Sequence, residues 1–408
     1  MHAFEFSIPT RIVFGPGTES RTGELAAGLD AHRVLLVCGG QSARRSGLLD
    51  RVEQSLIQAG LACRVFAGIH PNPRLFQVRE GVQTALEFGA DLILAVGGGS
   101  VIDAAKAIAL GAAEPEADLW DFWLGKRPVE RTLPVGAVLT ISAAGSETSS
   151  SAVLPRDDTL EKRGLTSEQI RPRFAVMDPE LTCSLPPYQI ACGVVDIMMH
   201  TLDRYFTCVT GNLLTDEIAQ GLLRTVIRCG ARALADPCDL QAMSELMWAG
   251  SLSHNGLTGL GAPKDFAVHQ LGHELSARFD FAHGATLSAV WGSWAEYCVE
   301  TDPARFAQYG VSVWGLDPAG GSQEELARQA IARTVDYFRS LGMPTCTVDY
   351  FRSLGMPTCL TELGCGLQSE EELKELARRC TFYGARTIGA FRVLGEADIL
   401  AIYRAANR

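Results

Sequence analysis

The chain has 408 residues, of which 47% are apolar and 20% are charged, a composition typical of folded globular proteins. This length favours two domains over a single core. The formal net charge of −11 argues against a nucleic-acid partner or an anionic membrane surface. The twelve cysteines form no C-x-x-C pair, which indicates buried thiols in a reducing compartment. We expect a cytoplasmic protein, because the first residues carry neither the basic nor the apolar region of a secretory signal.

Short β-branched runs alternate with helical patterns in the first half of the chain. Strands are predicted at residues 33–38, 61–66, 91–96 and 135–140. Helices are predicted between them, at residues 48–58, 74–88 and 101–111. This alternation predicts an α/β, Rossmann-like domain with a parallel sheet and helices on both faces.

Strand patterns almost disappear in the second half, and long amphipathic patterns replace them. Helices are predicted at residues 188–207, 214–233, 240–255, 264–279, 284–301 and 322–341. The break Leu185-Pro186-Pro187 marks the change, because proline ends the preceding element and favours a helix start. We therefore predict an α/β domain at residues 1–187 and an all-helical domain at residues 188–408.

One segment of 13 residues occurs twice without a single change: Thr334–Cys346 is repeated as Thr347–Cys359. A solenoid would show several diverged copies, so the repeat resembles a recent tandem duplication or a sequence artefact. Each copy contains the glycine and proline that stop a helix, in the second copy Gly355 and Pro357. We expect the extra copy to be extruded as a surface loop or short helix without a function.

A triple-glycine turn follows the third predicted strand and opens a helix, as Gly97-Gly98-Gly99-Ser100. Glycines let the backbone approach a ligand closely, and the free N–H groups of a helix N-terminus attract phosphate. Ser100 can cap the helix and also donate to a phosphate oxygen. The alternative is a tight turn without a ligand, since the chain has no G-x-G-x-x-G or Walker motif.

A second glycine turn, Gly39-Gly40-Gln41-Ser42, follows the first predicted strand. In nicotinamide-binding folds an acidic residue near this strand end binds the ribose 2′-hydroxyl. No acidic residue stands there, and the turn with Arg44 and Arg45 instead offers space, a hydroxyl and positive charge. This pattern favours a 2′-phosphate and hence NADP(H) over NAD(H). The alternative is that both arginines are solvated surface charges.

A set of histidines and one aspartate suggests a metal site. Asp196 and His200 are four residues apart, which puts them on one face of a helix, and His269 and His273 have the same spacing. His283 follows closely, and five of the chain's eight histidines fall in this part of the chain. One carboxylate with two or three imidazoles suits zinc or iron. Alone, the Asp-x3-His pair could be two ordinary polar residues of a helix without a metal. The spacing also does not decide whether His269 or His273 is the metal ligand.

Together these motifs resemble the iron-containing, or group III, alcohol dehydrogenases, most closely the branch of NADPH-dependent butanol dehydrogenases and aldehyde reductases. The resemblance runs from residue 6 to residue 406. Its most specific segments are 71–73, 95–106, 145–147, 177–181, 193–200 and 269–284. It implies hydride transfer between NADP(H) and a small alcohol or aldehyde, with broad-range reduction of aldehydes to primary alcohols. It also implies a nucleotide domain, an all-helical domain and a metal in the cleft between them.

The resemblance also implies roles for individual residues. Iron or zinc is expected at Asp196, His200, His269 and His283, with His273 as a nearby catalytic residue in a proton relay. The 2′-phosphate is expected at Gly39, Gly40 and Ser42, and the pyrophosphate at Gly97, Gly98, Gly99 and Ser100. Further cofactor contacts are expected at Asn72, Asp103, Thr140, Ser149, Lys162 and Leu181. A homodimer is expected, without a nucleic-acid or membrane partner.

Three positions depart from the pattern of this branch. Ala144 stands where a threonine usually faces the nicotinamide, Ser149 stands where asparagine is frequent, and Gln41 replaces the third glycine of the first turn. These departures bear on cofactor affinity more than on the reaction type.

Two other functions stay open at this level. A metal-dependent lyase of the dehydroquinate synthase type has a similar glycine turn and metal cleft, but it needs several basic residues for a phosphorylated, polyhydroxylated substrate. The helices that carry the metal motif here are largely apolar, which favours small aldehydes. The second alternative is a catalytically impaired paralogue, which the duplication suggests.

Overall fold

The computed structural model describes residues 1–341 and 359–408. The extra copy is Thr347–Cys359, and its predicted extrusion concerns residues 347–358, which lie outside the described residues. The chain divides into two compact units, which we call the sheet unit, Ser7–Ser184, and the helical unit, Met1–Phe6 together with Leu185–Arg408. The first residues are tied to the helical unit, because the backbone N–H of His2 donates to Asn212 Oδ1 at 3.0 Å.

The sheet unit is built on parallel strands. In chain order its strands are β1 (Arg11–Phe14), β2 (Arg33–Cys38), β3 (Ala62–Phe66), β4 (Leu92–Gly97), β5 (Val135–Leu139), β6 (Ser151–Arg156), β7 (Glu161–Thr166) and β8 (Phe174–Met177). Six of them form one sheet in the order β1-β8-β5-β4-β2-β3, and β6 and β7 form a separate antiparallel pair. Every residue of β4 is buried, as is typical of parallel strands covered on both faces. The predicted parallel α/β fold is confirmed.

Helices connect these strands. They are α1 (Thr22–Ala27), α2 (Ser42–Arg45), α3 (Leu48–Gln58), α4 (Leu75–Phe88), α5 (Gly99–Ala113) and α6 (Leu119–Trp123). The helix α3 is amphipathic and buries Leu49, Val52 and Leu56 at the spacing of one helical face. The helix α5 is buried along most of its length, including Lys106.

The direction in which strands are added reverses between β2 and β4. From β2 the chain moves outward to β3 at the sheet edge, then returns to β4 on the other side of β2 and continues to β5. In open parallel sheets such a reversal leaves a crevice at the carboxyl ends of the strands, where ligands bind. Gly39 follows β2 and Gly97 ends β4. Both predicted glycine turns therefore lie at the point of reversal.

The helical unit contains ten α-helices within the described residues. They are α7 (Pro187–Tyr205), α8 (Leu213–Ala235), α9 (Leu240–His254), α10 (Ala267–Phe279), α11 (His283–Cys298), α12 (Pro303–Trp314), α13 (Gln323–Ser340), α14 (Leu360–Leu363), α15 (Glu370–Cys380) and α16 (Glu396–Ala406). The described part of this unit has no strand, only an isolated bridge between Ile388 and Leu394. The predicted helical character is confirmed.

The helix α7 lies in the core of this unit. It begins at Pro187, where proline is favoured because the first helical N–H needs no partner. All thirteen residues from Gly193 to Tyr205 are buried, as expected for a helix that is surrounded on every side. None of the described helices is both long and apolar enough to cross a membrane.

Candidate functional site

Three side chains of the helical unit bring their ligand atoms together. Among the described residues, Asp196, His200 and His269 each offer one donor atom within 4.8 Å of the others, and all three are buried. Asp196 Oδ1 lies 3.4 Å from His200 Nε2, one turn further along α7, and 3.8 Å from His269 Nε2 on α10. The packing of α10 beside α7 therefore joins the two motifs that are separate in the sequence.

His283 reaches the same carboxylate from the first residue of α11. Its Nε2 lies 3.9 Å from Asp196 Oδ1, and its side chain is 25% exposed. The following glycine explains how α11 can start so close to α7. A Cβ at Gly284 would lie 2.2 Å from the carbonyl oxygen of Cys192, so only glycine allows this approach. The Gly284 position thereby holds His283 beside Asp196.

The spacing of these donors fits a divalent metal ion. Tetrahedral ligands with bonds of about 2.1 Å are separated from one another by about 3.4 Å. The three distances from Asp196 Oδ1 are 3.4, 3.8 and 3.9 Å. Asp196 Oδ1 and His269 Nε2 are buried atoms without a hydrogen-bond partner within 3.5 Å, which is costly unless a ligand completes them. One carboxylate and three imidazoles are also a donor set that iron and zinc accept.

Two neighbouring residues of α7 support this donor set. His269 Nδ1 donates to Asp203 Oδ2 at 2.5 Å, which leaves Nε2 as the nitrogen that faces Asp196. The guanidinium of Arg204 donates to the carbonyl oxygen of His200 at 2.6 Å and to that of His254 at 3.3 Å. Burial lowers the pKa of Arg204 to about 10, against the charge of Asp203. Asp203 and Arg204 thus fix the positions of two candidate ligands from behind.

The two buried imidazoles have different electrostatic surroundings. Burial, followed by the neighbouring His254 and His269, holds the pKa of His200 well below its usual value. Burial also disfavours protonation of His269, but the carboxylates of Asp196 and Asp203 favour the charged ring, outweigh burial and raise the pKa of that imidazole. A metal ion needs both rings with an unprotonated Nε2. His200 meets this condition by burial, and His269 meets it when an ion takes the place of its Nε2 proton.

Other rings surround the donor set. The ring of His273, on α10, is buried and lies 5.2 Å from that of His283. The ring of His254, at the end of α9, stacks on His200 at 4.0 Å and 18°. Phe266 lies 5.2 Å from His269, with a left-handed backbone φ of 53° that is strained for so large a residue.

The predicted site residues do not include Asp203, Arg204, His254 or Phe266. A signal existed for the first two, because positions seven and eight residues after Asp196 continue the same helical face. The histidine count could have drawn attention to His254. We find no sequence signal for Phe266, whose place depends on the loop before α10.

The predicted phosphate-binding turns lie next to each other in the sheet unit. Gly39 and Gly40 follow β2, and Ser42 is the first residue of α2. The second turn closes β4 with Gly97 and places Gly98 as the N-cap of α5, without a side-chain cap. Ser100 is therefore inside the first turn of α5, and the prediction that it caps the helix is wrong. The cap is backbone only, which leaves the first N–H groups of α5 available to a ligand.

The remaining predicted cofactor residues follow the same edge of the sheet. Thr140 comes directly after β5, and Leu181 lies in a 3-10 helix after β8. Asp103 of α5 accepts a hydrogen bond from the Ser146 hydroxyl at 2.5 Å. Ser146 and Ser149 lie in the same loop after β5. Further along the chain, Lys162 Nζ donates to Asn72 Oδ1 at 2.8 Å.

Two regions of the chain match one family. Residues 9–179 match the model of the iron-containing alcohol dehydrogenases, and residues 190–407 match the model of the C-terminal part of the Fe-containing alcohol dehydrogenase family. Among curated relatives, the NADH-dependent butanol dehydrogenase A of Clostridium acetobutylicum is 38% identical over 405 residues, with 99% of each chain covered. The NADPH-dependent aldehyde reductase YqhD of Escherichia coli is 39% identical over 347 residues, with 85% of this chain and 88% of the relative covered.

Solved structures give the same family. The crystal structure of NADH-dependent butanol dehydrogenase A from Thermotoga maritima matches with a TM-score of 0.92 and 32% identity, covering 100% of this chain and 99% of the other. The structure of Escherichia coli YqhD matches with a TM-score of 0.91 and 34% identity, over the same shares. The chain belongs to the iron-containing alcohol dehydrogenase family, in its butanol dehydrogenase and aldehyde reductase branch, and is an NAD(P)-dependent alcohol/aldehyde oxidoreductase.

Proposed function

We propose that this enzyme reduces small aldehydes to primary alcohols over a broad substrate range, with NADP(H) preferred over NAD(H) and with iron or zinc held by Asp196, His200, His269 and His283. The observation that carries the proposal is the convergence of the three imidazoles on one buried carboxylate oxygen, at 3.4 to 3.9 Å. Such a set holds a divalent ion and leaves it a formal positive charge.

The helical unit provides the substrate's environment. When bound, the metal ion supplies Lewis acidity to the substrate oxygen, and the nicotinamide supplies the hydride. Asp203 orients the ring of His269, and Arg204 fixes the backbone of His200. His273 is a buried imidazole beside His283. We assign to it the role of proton donor to the oxygen of the alcohol product.

The sheet unit provides the cofactor site. The turn from Gly97 to Ser100 presents the uncapped N-terminus of α5, a helix of 15 residues, to the pyrophosphate. It does so at the reversal point of the sheet, beside the turn that begins at Gly39. Gly98 must be glycine for this arrangement, because a Cβ there would lie 2.3 Å from Ile141 Cγ2.

The preference for NADP(H) rests on the turn after β2. No carboxylate follows β2 within the turn, and Arg44 and Arg45 form the last turn of the short helix α2. Their positive charges favour a 2′-phosphate over a 2′-hydroxyl. The relatives include both NADH-dependent and NADPH-dependent enzymes, so the residues of this chain alone support the preference.

The test is oxidation of NADPH with butanal as the substrate. The purified enzyme is depleted of metal and then assayed alone, with Fe(II) and with Zn(II), and kcat/KM is measured with NADPH and with NADH. We expect activity that returns with one of the metals and a higher kcat/KM with NADPH. Activity that is unaffected by depletion contradicts the metal assignment, whereas a higher kcat/KM with NADH contradicts only the cofactor preference.

A further inference from the structure

A buried ammonium group in the sheet unit binds a single loop. Lys106 of α5 is fully buried, with a relative exposure of 0%. Its Nζ lies 2.7, 3.1 and 2.7 Å from the carbonyl oxygens of Ser146, Ser149 and Ser151. It also lies 3.0 and 3.2 Å from the hydroxyls of Ser146 and Ser149. Lysine is almost never fully buried unless it is paired, so this arrangement indicates a specific role.

The oxygens all belong to what we call the clamp loop, residues 140–151, which is the connection after β5 together with Ser151, the first residue of β6. It leads from β5 into β6. Two backbone hydrogen bonds lie within it: the Thr148 N–H donates to the Gly145 carbonyl oxygen at 3.2 Å, and the Ser149 N–H donates to the Ser146 carbonyl oxygen at 3.3 Å. Most of its attachment therefore comes from other parts of the sheet unit. Asp103, one turn before Lys106 on α5, accepts the Ser146 hydroxyl at 2.5 Å. Its second oxygen accepts the backbone N–H of Val153, just after the loop, at 2.9 Å.

The clamp loop lies directly against the first turn of α5. A Cβ at Gly99 would be 3.5 Å from the Cβ of Ala144, and a Cβ at Gly98 would be 2.3 Å from Ile141 Cγ2. The same turn carries the N–H groups that we assign to the pyrophosphate. The loop also contains Thr140 and Ser149, two of the cofactor contacts predicted from the sequence. A shift of the loop would therefore alter the cofactor site.

We propose that Lys106 is a positioning residue for the nicotinamide cofactor, holding the clamp loop against the N-terminus of α5 so that the cofactor site is preformed. This inference rests on the proposed function, because it concerns the same cofactor site. Lys106 itself touches the loop, and it acts on the cofactor through the loop.

Charged groups on neighbouring elements surround the buried ammonium group. Burial lowers the pKa of Lys106 to about 8, while Asp103 and Glu147 favour the charged form and Arg171 disfavours it. Arg171 itself donates to the carbonyl oxygen of Thr148, within the clamp loop. At pH 7 Lys106 is an ammonium group with three N–H donors, which the oxygens of the clamp loop accept.

The test compares Lys106→Met with the wild-type enzyme. The dissociation constant of NADPH is measured by fluorescence, and KM for NADPH and kcat are measured with butanal. We expect both cofactor constants to rise about 10- to 100-fold, the size of a lost charge-assisted hydrogen bond, with a smaller change in kcat at saturating NADPH. Lys126→Met is the matched control, because Lys126 is 63% exposed and pairs only with Asp121 at 3.2 Å among the described residues. Its cofactor constants should not change.

The split between KM and kcat separates positioning from general loss of structure. Lys106→Met should raise KM for NADPH while kcat at saturating NADPH changes less, whereas a misfolded fraction of the enzyme lowers kcat and leaves KM unchanged. Ser146→Ala removes one hydroxyl from the clamp and is expected to raise KM about three- to tenfold, so it carries the test if Lys106→Met does not fold. If the wild type is active and the NADPH constants of these variants equal those of the wild type, the inference about Lys106 is wrong and the proposed function stands. A wild type without NADPH-dependent reduction overturns the proposed function.

Discussion

Asp203 Oδ2 lies 2.5 Å from His269 Nδ1, and both side chains are buried in the helical unit. A carboxylate can only accept this hydrogen bond, so it keeps the Nδ1 proton in place and presents Nε2 to Asp196. The two residues are 66 positions apart in the sequence. Their contact connects α7 to α10 and decides which nitrogen of His269 serves as a donor.

Replacement of Asp203 by asparagine should weaken metal binding. The amide can turn its NH₂ group toward Nδ1 and thereby stabilise the wrong tautomer of His269. We expect the affinity for Fe(II) or Zn(II) to fall about 10- to 100-fold, measured by competition with a chelating dye. The matched control is Asp216→Asn, which breaks the pair with Arg305 at 2.7 Å and should lower Tm without changing metal affinity. Equal metal affinity in Asp203→Asn and wild type would show that the contact is not needed for binding.

Replacement of Gly284 by alanine should disturb the same centre by a steric route. The new Cβ would come within 2.2 Å of the Cys192 carbonyl oxygen, so α11 must move away from α7 and carry His283 with it. We expect weaker metal binding together with a lower Tm, because overpacking typically costs about 1–3 kcal/mol. The control is Gly221→Ala in α8, where the nearest atom to a new Cβ is Arg224 Nη2 at 3.8 Å.

That control should stabilise the protein slightly, since alanine is favoured over glycine in a helix by about 0.8–1 kcal/mol. A Gly284→Ala variant that binds metal as tightly as the wild type would contradict the close-packing argument.

Replacement of Gly39 by aspartate should move cofactor preference toward NADH. The position accepts a side chain, because a new Cβ would meet Ile69 O at 3.5 Å and Val101 Cγ2 at 3.6 Å, both ordinary contacts. A carboxylate there repels a 2′-phosphate and can accept from a 2′-hydroxyl. We expect kcat/KM with NADPH to fall about 10- to 100-fold, while kcat/KM with NADH rises.

Gly28→Asp adds the same charge at an exposed helix end of the sheet unit and should leave the ratio of the two kcat/KM values unchanged. An unchanged ratio in Gly39→Asp as well would place the 2′ position of the ribose elsewhere.

Deletion of Thr347–Cys359 should preserve activity and raise stability. Because the two copies are identical, deleting Thr334–Cys346 gives the same protein, so the variant is uniquely defined. Thr334, in the first copy, is buried and accepts the indole N–H of Trp314 at 3.0 Å, and Leu360, after the second copy, is also buried. Between α13 and α14 the deletion shortens the chain from 19 residues to six, and shortening a connecting loop about threefold stabilises a protein by about 1 kcal/mol.

We expect thermal unfolding to shift upward while kcat/KM and metal content stay the same. A deletion variant that does not fold would show that both copies are packed into the helical unit.

The regular, amphipathic and strongly apolar segments could be predicted from the sequence. The predicted helix 48–58 has the same bounds as α3, because its apolar period is complete. The strands β1 and β8 were not predicted, since each has only four residues and they pair across a separation of about 160 positions. The predicted start of α10 was three residues too early. The helix begins at Ala267, because Phe266 has a left-handed backbone conformation. The side chain of Asp265 accepts the Ala267 N–H at 3.1 Å.

The candidate metal site was predictable only in part, because local spacing does not show which residues of distant helices meet. Helical spacing pairs Asp196 with His200, but it treats His269 and His273 alike, because both stand one turn apart on α10. Which of the two faces Asp196 depends on how far α10 is displaced along α7, and that is set by side-chain packing between the helices. The choice of His269 came from the family resemblance, and Asp203 was missed because its partner lies on another helix.

The grouping of Met1–Phe6 with the helical unit means that the sheet unit is an insertion within it, entered at Ser7 and left at Ser184. During synthesis the sheet unit can therefore complete its fold while its neighbour is still being made. The first six residues, by contrast, must wait for Asn212 and the helices around it before they find their partners. The helical unit is thus assembled from both ends of the chain, and an expression fragment that starts at Leu185 lacks a part of its own native structure.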